Sequence, residues 1–340
     1  MKVGILGAGG VAFGYAAFLR EAGHQPRLWS PSGRGVAPFL AGEQLTATGA
    51  VSASFMPDVA TDPAFVADMD ALIVAVPGYG YRSVFNAIVP HVRAGATIII
   101  SAHLSMAARY LTRRLAERNV ETPVLAWGTT ALMGRKTSPS SVEIGGVRRE
   151  IDLAAANPRD GANGLAMCVA LFGERFKLHD DLMAIQLGNL NPPIHLASAL
   201  CNFTRIERGE NWANYDGITP AVARLVEALD RERLALAAAF GVEVRSVERH
   251  YQLTFGFPPG ESLAAMAAEV HRQRGGPPGP KSLQTRFVIE DVPFGIVPLV
   301  RIGRRFNMPM TLHEAGVKLF DALYGCSFEQ MNDLLEADSP

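Results

Sequence analysis

The sequence predicts an α/β protein, with a doubly wound parallel sheet in the N-terminal half and an all-α domain after it. Three observations carry this. Short apolar runs alternate with helical patterns through the first half. A glycine-rich turn follows the first apolar run directly. From about Asp180 onward the pattern becomes mostly helical. A chain of 340 residues accommodates about two domains, expected here at 1–180 and 181–340.

Lys2–Leu6 is an apolar strand, and Gly14–Leu19 continues as a helix. Between them, Gly7-Ala8-Gly9-Gly10-Val11-Ala12 matches the G-x-G-x-x-G/A dinucleotide fingerprint. Gly7 lets the chain turn sharply, Gly9 lets the backbone approach a pyrophosphate, and Ala12 allows close helix–strand packing. The helix start offers unpaired N–H groups to phosphates, so this half reads as a Rossmann dinucleotide-binding domain. The charge-free run Val3–Leu19 also invites a signal-peptide or membrane reading. Gly4, Gly7, Gly9, Gly10 and Gly14 interrupt it, and Arg20-Glu21 follows in place of a cleavage site, so no membrane partner is expected.

The second strand is expected at Gln25–Ser30. NAD enzymes usually end this strand on an acid that binds the ribose 2′-OH. Here Trp29-Ser30-Pro31-Ser32-Gly33-Arg34 holds no acid, but two hydroxyls and a cation. Ser30, Ser32 and Arg34 suit a 2′-phosphate, which favours NADP, with NAD as the alternative. Ala71–Val76 is the next buried strand, leading into Pro77 at the cofactor cleft; Ala96–Ser101 and Val124–Trp127 follow. Helical patterns at Arg82–Val92 and Met106–Arg118 lie between them. The loops Pro77–Tyr81 and Ser101–Leu104 should line the cleft. Val142–Ile144 and Arg149–Ala154 read as a strand pair joined by a Gly145-Gly146 turn.

In the second half, Asn191-Pro192-Pro193-Ile194-His195 starts a helix, with Asn191 near the cap and prolines in the first turn. Thr219-Pro220 opens a long helix that Gly241 closes. Thr311-Leu312-His313-Glu314 fits a capping box, with Gly325 as the stop. Phe257–Gly260 and Gly275–Pro280 are candidate mobile loops.

Composition narrows the function classes. Hydrophobic residues make up 48% and charged residues 19%, as in a globular protein. Lys+Arg at 32 against Asp+Glu at 33 leaves a net charge of −1, which argues against a nucleic-acid partner. Cys168, Cys201 and Cys326 are few, odd in number and far apart, which fits a reducing cytoplasm and no structural zinc. The histidines show no ligand spacing, and no metal is expected.

Two local sequences go further: Asn189-Leu190-Asn191-Pro192-Pro193-Ile194-His195 and Arg286-Phe287-Val288-Ile289-Glu290-Asp291-Val292-Pro293-Phe294-Gly295-Ile296-Val297-Pro298. With Thr61-Asp62-Pro63 and Asp230-Arg231-Glu232-Arg233 in the same order, the chain resembles the opine dehydrogenase family, of octopine/nopaline dehydrogenase type. The resemblance implies reductive condensation of an amino acid or amine with a 2-keto acid such as pyruvate, using NAD(P)H. The family's catalytic His falls on His195, its Asp partner on Asp291 and its carboxylate-binding Arg on Arg286. Residue chemistry agrees. Histidine moves protons near neutral pH, a carboxylate on its second nitrogen fixes the tautomer, and a guanidinium holds a carboxylate bidentately. Each has a plainer reading: a structural histidine, a helix-capping Asp291, a surface Arg286. Helical second domains of such enzymes often mediate dimers, so a homodimer is compatible with the sequence.

Family members that take a basic amino acid usually carry a Glu-Thr pair in the stretch matching Ala126–Arg135, and no acid stands there. This disfavours an arginine or lysine donor, while Leu132 and Met133 hint at an apolar one. The alternatives are a ketopantoate-reductase-like enzyme, weakened by the lack of a lysine in an evident active-site helix, and a non-catalytic NADP-sensing regulator.

Overall fold

The computed structural model describes residues 1–335. It divides into two compact units, Met1–Gln186 and Leu187–Pro340.

The first unit contains β1 (Lys2–Leu6), β2 (Gln25–Trp29), β3 (Leu45–Gly49), β4 (Ala53–Phe55), β5 (Asp58–Val59), β6 (Ala71–Val74) and β7 (Thr97–Ile100). It continues with β8 (Val124–Trp127), β9 (Leu132–Ser138), β10 (Ser141–Val147), β11 (Ile151–Ala155) and β12 (Phe176–His179). Eight strands form one sheet in the order β12-β11-β8-β7-β6-β1-β2-β5. The strands from β5 to β8 run parallel, whereas β11 is antiparallel to β8. Every residue of β6 and β7 is buried, as a sheet covered on both faces requires. The strand order reverses at β1, whose neighbours are β2 and β6. The crevice beyond the carboxyl ends of β1 and β6 is therefore the switch point where such sheets take ligands.

The expected Val142–Ile144/Arg149–Ala154 hairpin does not form. β10 runs through Gly145-Gly146 and pairs antiparallel with β9 and parallel with β3. Ile151–Ala155 belongs to the main sheet instead. The two glycines sit at a register shift in a strand, and neither has the positive φ that a tight hairpin turn needs.

The smaller sheet, in the order β4-β3-β10-β9, packs on helix α1 (Gly10–Glu21). A Cβ on Gly10 would come within 2.5 Å of Gly134 O, so helix and strand meet backbone to backbone. Leu132 fills the space above Gly14 and is fully buried.

The second unit is helical. Its long helix, Pro220–Ala239, ends before Gly241, whose φ of +67° breaks it. Asp230 and Arg233 on this helix are buried. Arg233 Nη2 donates to Asp230 Oδ1 (2.6 Å) and to Arg245 O (2.6 Å), its Nη1 donates to Leu187 O, and Asp230 Oδ2 accepts from Val247 N (2.8 Å). This pair stitches two segments, at Leu187 and at Arg245–Val247, to one helix.

Two expectations here are corrected. The Thr311/Glu314 capping box is absent. Glu232 of the long helix instead accepts from Leu312 N (2.8 Å), His313 N (3.2 Å) and His313 Nδ1 (2.8 Å) at the start of Thr311–Tyr324, while Glu314 pairs with Arg304. Gly325 does end that helix, in the left-handed conformation. The Gly275–Pro280 loop is pinned rather than loose. Asn214 N donates to Pro277 O (3.1 Å), Gly279 N to Trp212 O (2.9 Å) and Trp212 Nε1 to Pro280 O (2.9 Å). Among the described residues, no helix is long and apolar enough to cross a membrane.

Candidate active site

Within the first unit, the Gly7–Gly9 turn joins β1 to α1. Gly7 has φ +147°, its N–H donates to Trp29 O (2.8 Å), and a Cβ there would strike Ala75 O at 2.3 Å. No other residue fits this crossing of β1, β2 and β6. Gly9 caps α1 in extended conformation, and a Cβ on it would meet nothing within 4 Å. The start of α1 is therefore open at Gly9, with no acidic side chain in the first turn and no side-chain cap on its N–H groups. These features fit the phosphates of a dinucleotide. Ala12 is fully buried beneath the turn.

Ser30 is buried at the end of β2, while Ser32 and Arg34 are exposed on the following loop. That loop borders the glycine turn, since a Cβ on Gly35 would lie 2.4 Å from Ala8 Cβ. Pro77 caps the short helix Gly78–Gly80 beyond β6, and the preceding Val76 touches the Gly7 position. Ser101–Leu104 departs from expectation. Ser101, His103 and Leu104 turn inward and are buried. Ser101 Oγ meets Tyr15 Oη at 2.6 Å, and His103 Nε2 accepts from Ala108 N (3.2 Å). Burial pushes His103 down to about 3, so it is neutral. Ala102, Ser105 and Met106 hold left-handed φ values of 54°, 56° and 51°. Such strain clusters at functional loops.

Within the second unit, helix Asn191–Cys201 carries His195. Asn191 is its first helical residue rather than its cap, and Asn189 Oδ1 accepts from Asn191 N (3.0 Å). Prolines at 192 and 193 occupy the first turn, where their missing N–H is harmless. His195 Nδ1 lies 2.7 Å from Asp291 Oδ2. Asp291 is 2% exposed, and its side chain caps no helix, so the capping alternative does not hold. A π-helical turn, Val292–Ile296, begins right after Asp291, and such turns recur at functional sites.

Sequence reasoning missed Phe287. Its ring lies on the His195 imidazole with centroids 3.6 Å apart and planes 7° from parallel. Phe287 precedes Asp291 by one helical turn, on the segment Arg286–Ile289, whose Thr285 cap accepts from Phe287 N. One short stretch thus holds the imidazole by its face and by Nδ1. Its Nε2 makes no hydrogen bond to any described residue. Arg286 is 61% exposed, with its Nε 3.8 Å from Glu290 Oε2, beyond hydrogen-bonding distance.

Two further points concern the stretch Ala126–Arg135. Leu132 is a core residue against α1 and cannot line a donor pocket, whereas Met133 is exposed. An acid does stand nearby: Asp152 of β11 lies against Gly128 and bonds to His179 Nε2 at 2.7 Å. Among the described residues, no group of three His, Cys, Asp or Glu side chains could hold a metal ion.

The family model for the α-helical domain of NAD/NADP octopine/nopaline dehydrogenase matches residues 178–324. The second unit thus carries the match to the α-helical domain of that family. A second model, ketopantoate reductase PanE/ApbA, matches residues 3–157, the nucleotide-binding part alone. The opine dehydrogenase of Arthrobacter sp. (strain 1C) is 27% identical over 98% of this chain and 93% of its own length. Octopine dehydrogenase, solved with NADH and L-arginine, shares the fold with a TM-score of 0.80 at 16% identity, over 96% of this chain and 90% of that one. Yersinopine dehydrogenase, solved with NADP+, gives 0.75 at 18% identity, over 98% and 97%. Like these opine dehydrogenase relatives, the chain is an NAD(P)-dependent oxidoreductase acting on CH–NH bonds.

Proposed function

We propose that this chain is an NADP(H)-preferring opine-type dehydrogenase that joins the nitrogen of a neutral amino acid or amine to a 2-keto acid such as pyruvate. The His195–Asp291 pair carries the reading, with 2.7 Å between Nδ1 and Oδ2 and Phe287 stacked on the ring. Asp291 keeps the proton on Nδ1 and leaves Nε2 to exchange protons with substrate. As base, Nε2 takes a proton from the attacking amine. As acid, it returns one to the hydroxyl that leaves as water from the carbinolamine, and Asp291 stabilises the imidazolium between these steps. Arg286, exposed and paired with Glu290 only at 3.8 Å, is available to hold the keto-acid carboxylate. When bound, the reduced nicotinamide supplies the hydride.

The NADP preference rests on Ser30, Ser32 and Arg34 and on the absence of an acid at the end of β2. The preference for a neutral donor rests on the lack of an acid in Ala126–Arg135 and on the pairing of nearby Asp152 with His179. The ketopantoate-reductase-like alternative has less support, because that match stops short of the helical unit that holds His195 and Asp291. The deciding experiment follows NADPH oxidation with pyruvate, glyoxylate or 2-oxoglutarate, alone and then with amino acids and amines. Turnover is expected only with both substrates. Turnover on a keto acid alone, unchanged by any amine, overturns the reading.

A further inference from the structure

Lys136 projects from β9 of the smaller sheet toward the start of α1. Its Nζ lies 3.4 Å from Ala8 O, within the Gly7–Gly9 turn, and 4.4 Å from the centroid of the Phe13 ring. It has no carboxylate partner among the described residues: Val142 faces it across the strand pair, and the next residue, Glu143, is taken by Arg135. Partial burial lowers the Lys136 ammonium below its usual value, so this exposed residue carries a partly desolvated cation with no carboxylate beside it.

Its place is set by backbone contact. A Cβ on Gly10 would lie 2.8 Å from Lys136 N, and one on Gly134 would lie 2.3 Å from Gly10 O. Strand and helix start can come this close only because both positions are glycine, and the lysine backbone is thereby held against the first turn of α1. The same turn presents its N–H groups to open space at Gly9. A cation, an uncapped helix start and a bare glycine turn, all without an acid, form a setting for a phosphate oxyanion.

We propose that Lys136 is a phosphate-binding residue of the dinucleotide site, donating from Nζ to a phosphate oxygen seated at the Gly7–Gly9 turn. The inference rests on the dinucleotide-binding reading of this turn and adds a cation that the G-x-G-x-x-A pattern does not contain. The phosphate belongs either to the pyrophosphate, which NADH and NADPH share, or to the 2′-phosphate of NADPH beside the Ser30–Gly35 loop. The chemistry is the same in both cases.

The test titrates the full-length protein, without substrates, with NADPH and with NADH, and reads Kd from nicotinamide fluorescence or calorimetry. Lys136→Met should weaken binding by roughly tenfold or more, the scale of a lost charge-assisted hydrogen bond. Equal loss for both dinucleotides assigns the pyrophosphate, and loss confined to NADPH assigns the 2′-phosphate. Lys136→Arg, which keeps the charge, should retain most of the affinity and the wild-type melting temperature, separating charge loss from misfolding. Arg135→Met, a cation removed one residue away, should change little. Unchanged Kd for both dinucleotides in Lys136→Met, or equal losses in Lys136→Met and Arg135→Met, overturns the proposal. A wild-type protein that binds neither dinucleotide defeats the cofactor reading itself.

Discussion

His195 Nδ1 and Asp291 Oδ2 lie 2.7 Å apart, although 96 residues separate them in the chain. The carboxylate is almost wholly buried and the imidazole nearly so. Its charge therefore acts on the ring with little screening by solvent. Asp291→Asn keeps the shape but not the charge, and should lower kcat by roughly 10²-fold or more, as should His195→Asn. The Kd for NADPH, read by fluorescence, should stay near wild type in both. Unaltered turnover in Asp291→Asn would make that residue structural only.

Phe287 covers one face of the same ring, so Phe287→Leu should free the imidazole to tilt. The expected result is a kcat lower by roughly 10- to 100-fold with KM little changed, and a displaced pH profile. Phe287→Tyr, which keeps the ring, should restore both. A Leu variant with the wild-type pH profile would show that the stack has no part in positioning His195.

Arg34 stands exposed on the loop beside Ala8. Arg34→Ala should weaken NADPH by about tenfold or more, the value of a charge-assisted phosphate contact, and leave NADH nearly unaffected. Equal losses for the two dinucleotides would refute a 2′-phosphate role.

Glu232 gives the fold an acid-side dependence. Burial opposes its charge, yet bonds from His313 Nδ1, Leu312 N and His313 N hold the carboxyl below its usual 4.5. A depressed folded value means that its stabilisation is complete above the unfolded value and is lost as pH falls through the folded one. Glu232→Gln should therefore melt lower than wild type at neutral pH, by about 1–3 kcal/mol. The gap should close on acidification. A gap constant with pH would assign the loss to packing alone.

The Arg233–Asp230 pair is fully enclosed, and breaking one side leaves the other charge buried and unpaired. Arg233→Met should cost roughly 3–5 kcal/mol, read as a fall in denaturation midpoint. A near-neutral result would mean that water reaches Asp230.

The glycine turn was legible because its requirements are local. Gly7 must adopt a φ of +147°, and Gly9 must leave the helix start bare. His195, Asp291 and Arg286 stood out through the motifs around them. Phe287 was missed because a ring stack has no periodicity, although its place one turn before Asp291, beside Arg286, was a usable sign. Lys136 was one of five lysines with no pattern of its own. The Gly145-Gly146 pair mimicked a hairpin turn because both a bulge and a turn draw on glycine. The Thr311/Glu314 box failed because Glu232, distant in sequence, reached the same N–H groups.

By itself the sequence determined the alternation of strands and helices, the bare glycine turn and the residue types able to move a proton or hold a carboxylate. Each depends on interactions within one strand, one helix or one turn. Only the tertiary structure decided which groups meet: Phe287 and Asp291 on His195, Lys136 over Ala8, Glu232 under the Thr311–Tyr324 helix, Asp152 on His179. These contacts join segments whose separation along the chain carries no energetic signature. They exist because buried polar groups must find partners and apolar surfaces must be covered, conditions that only the folded chain can satisfy.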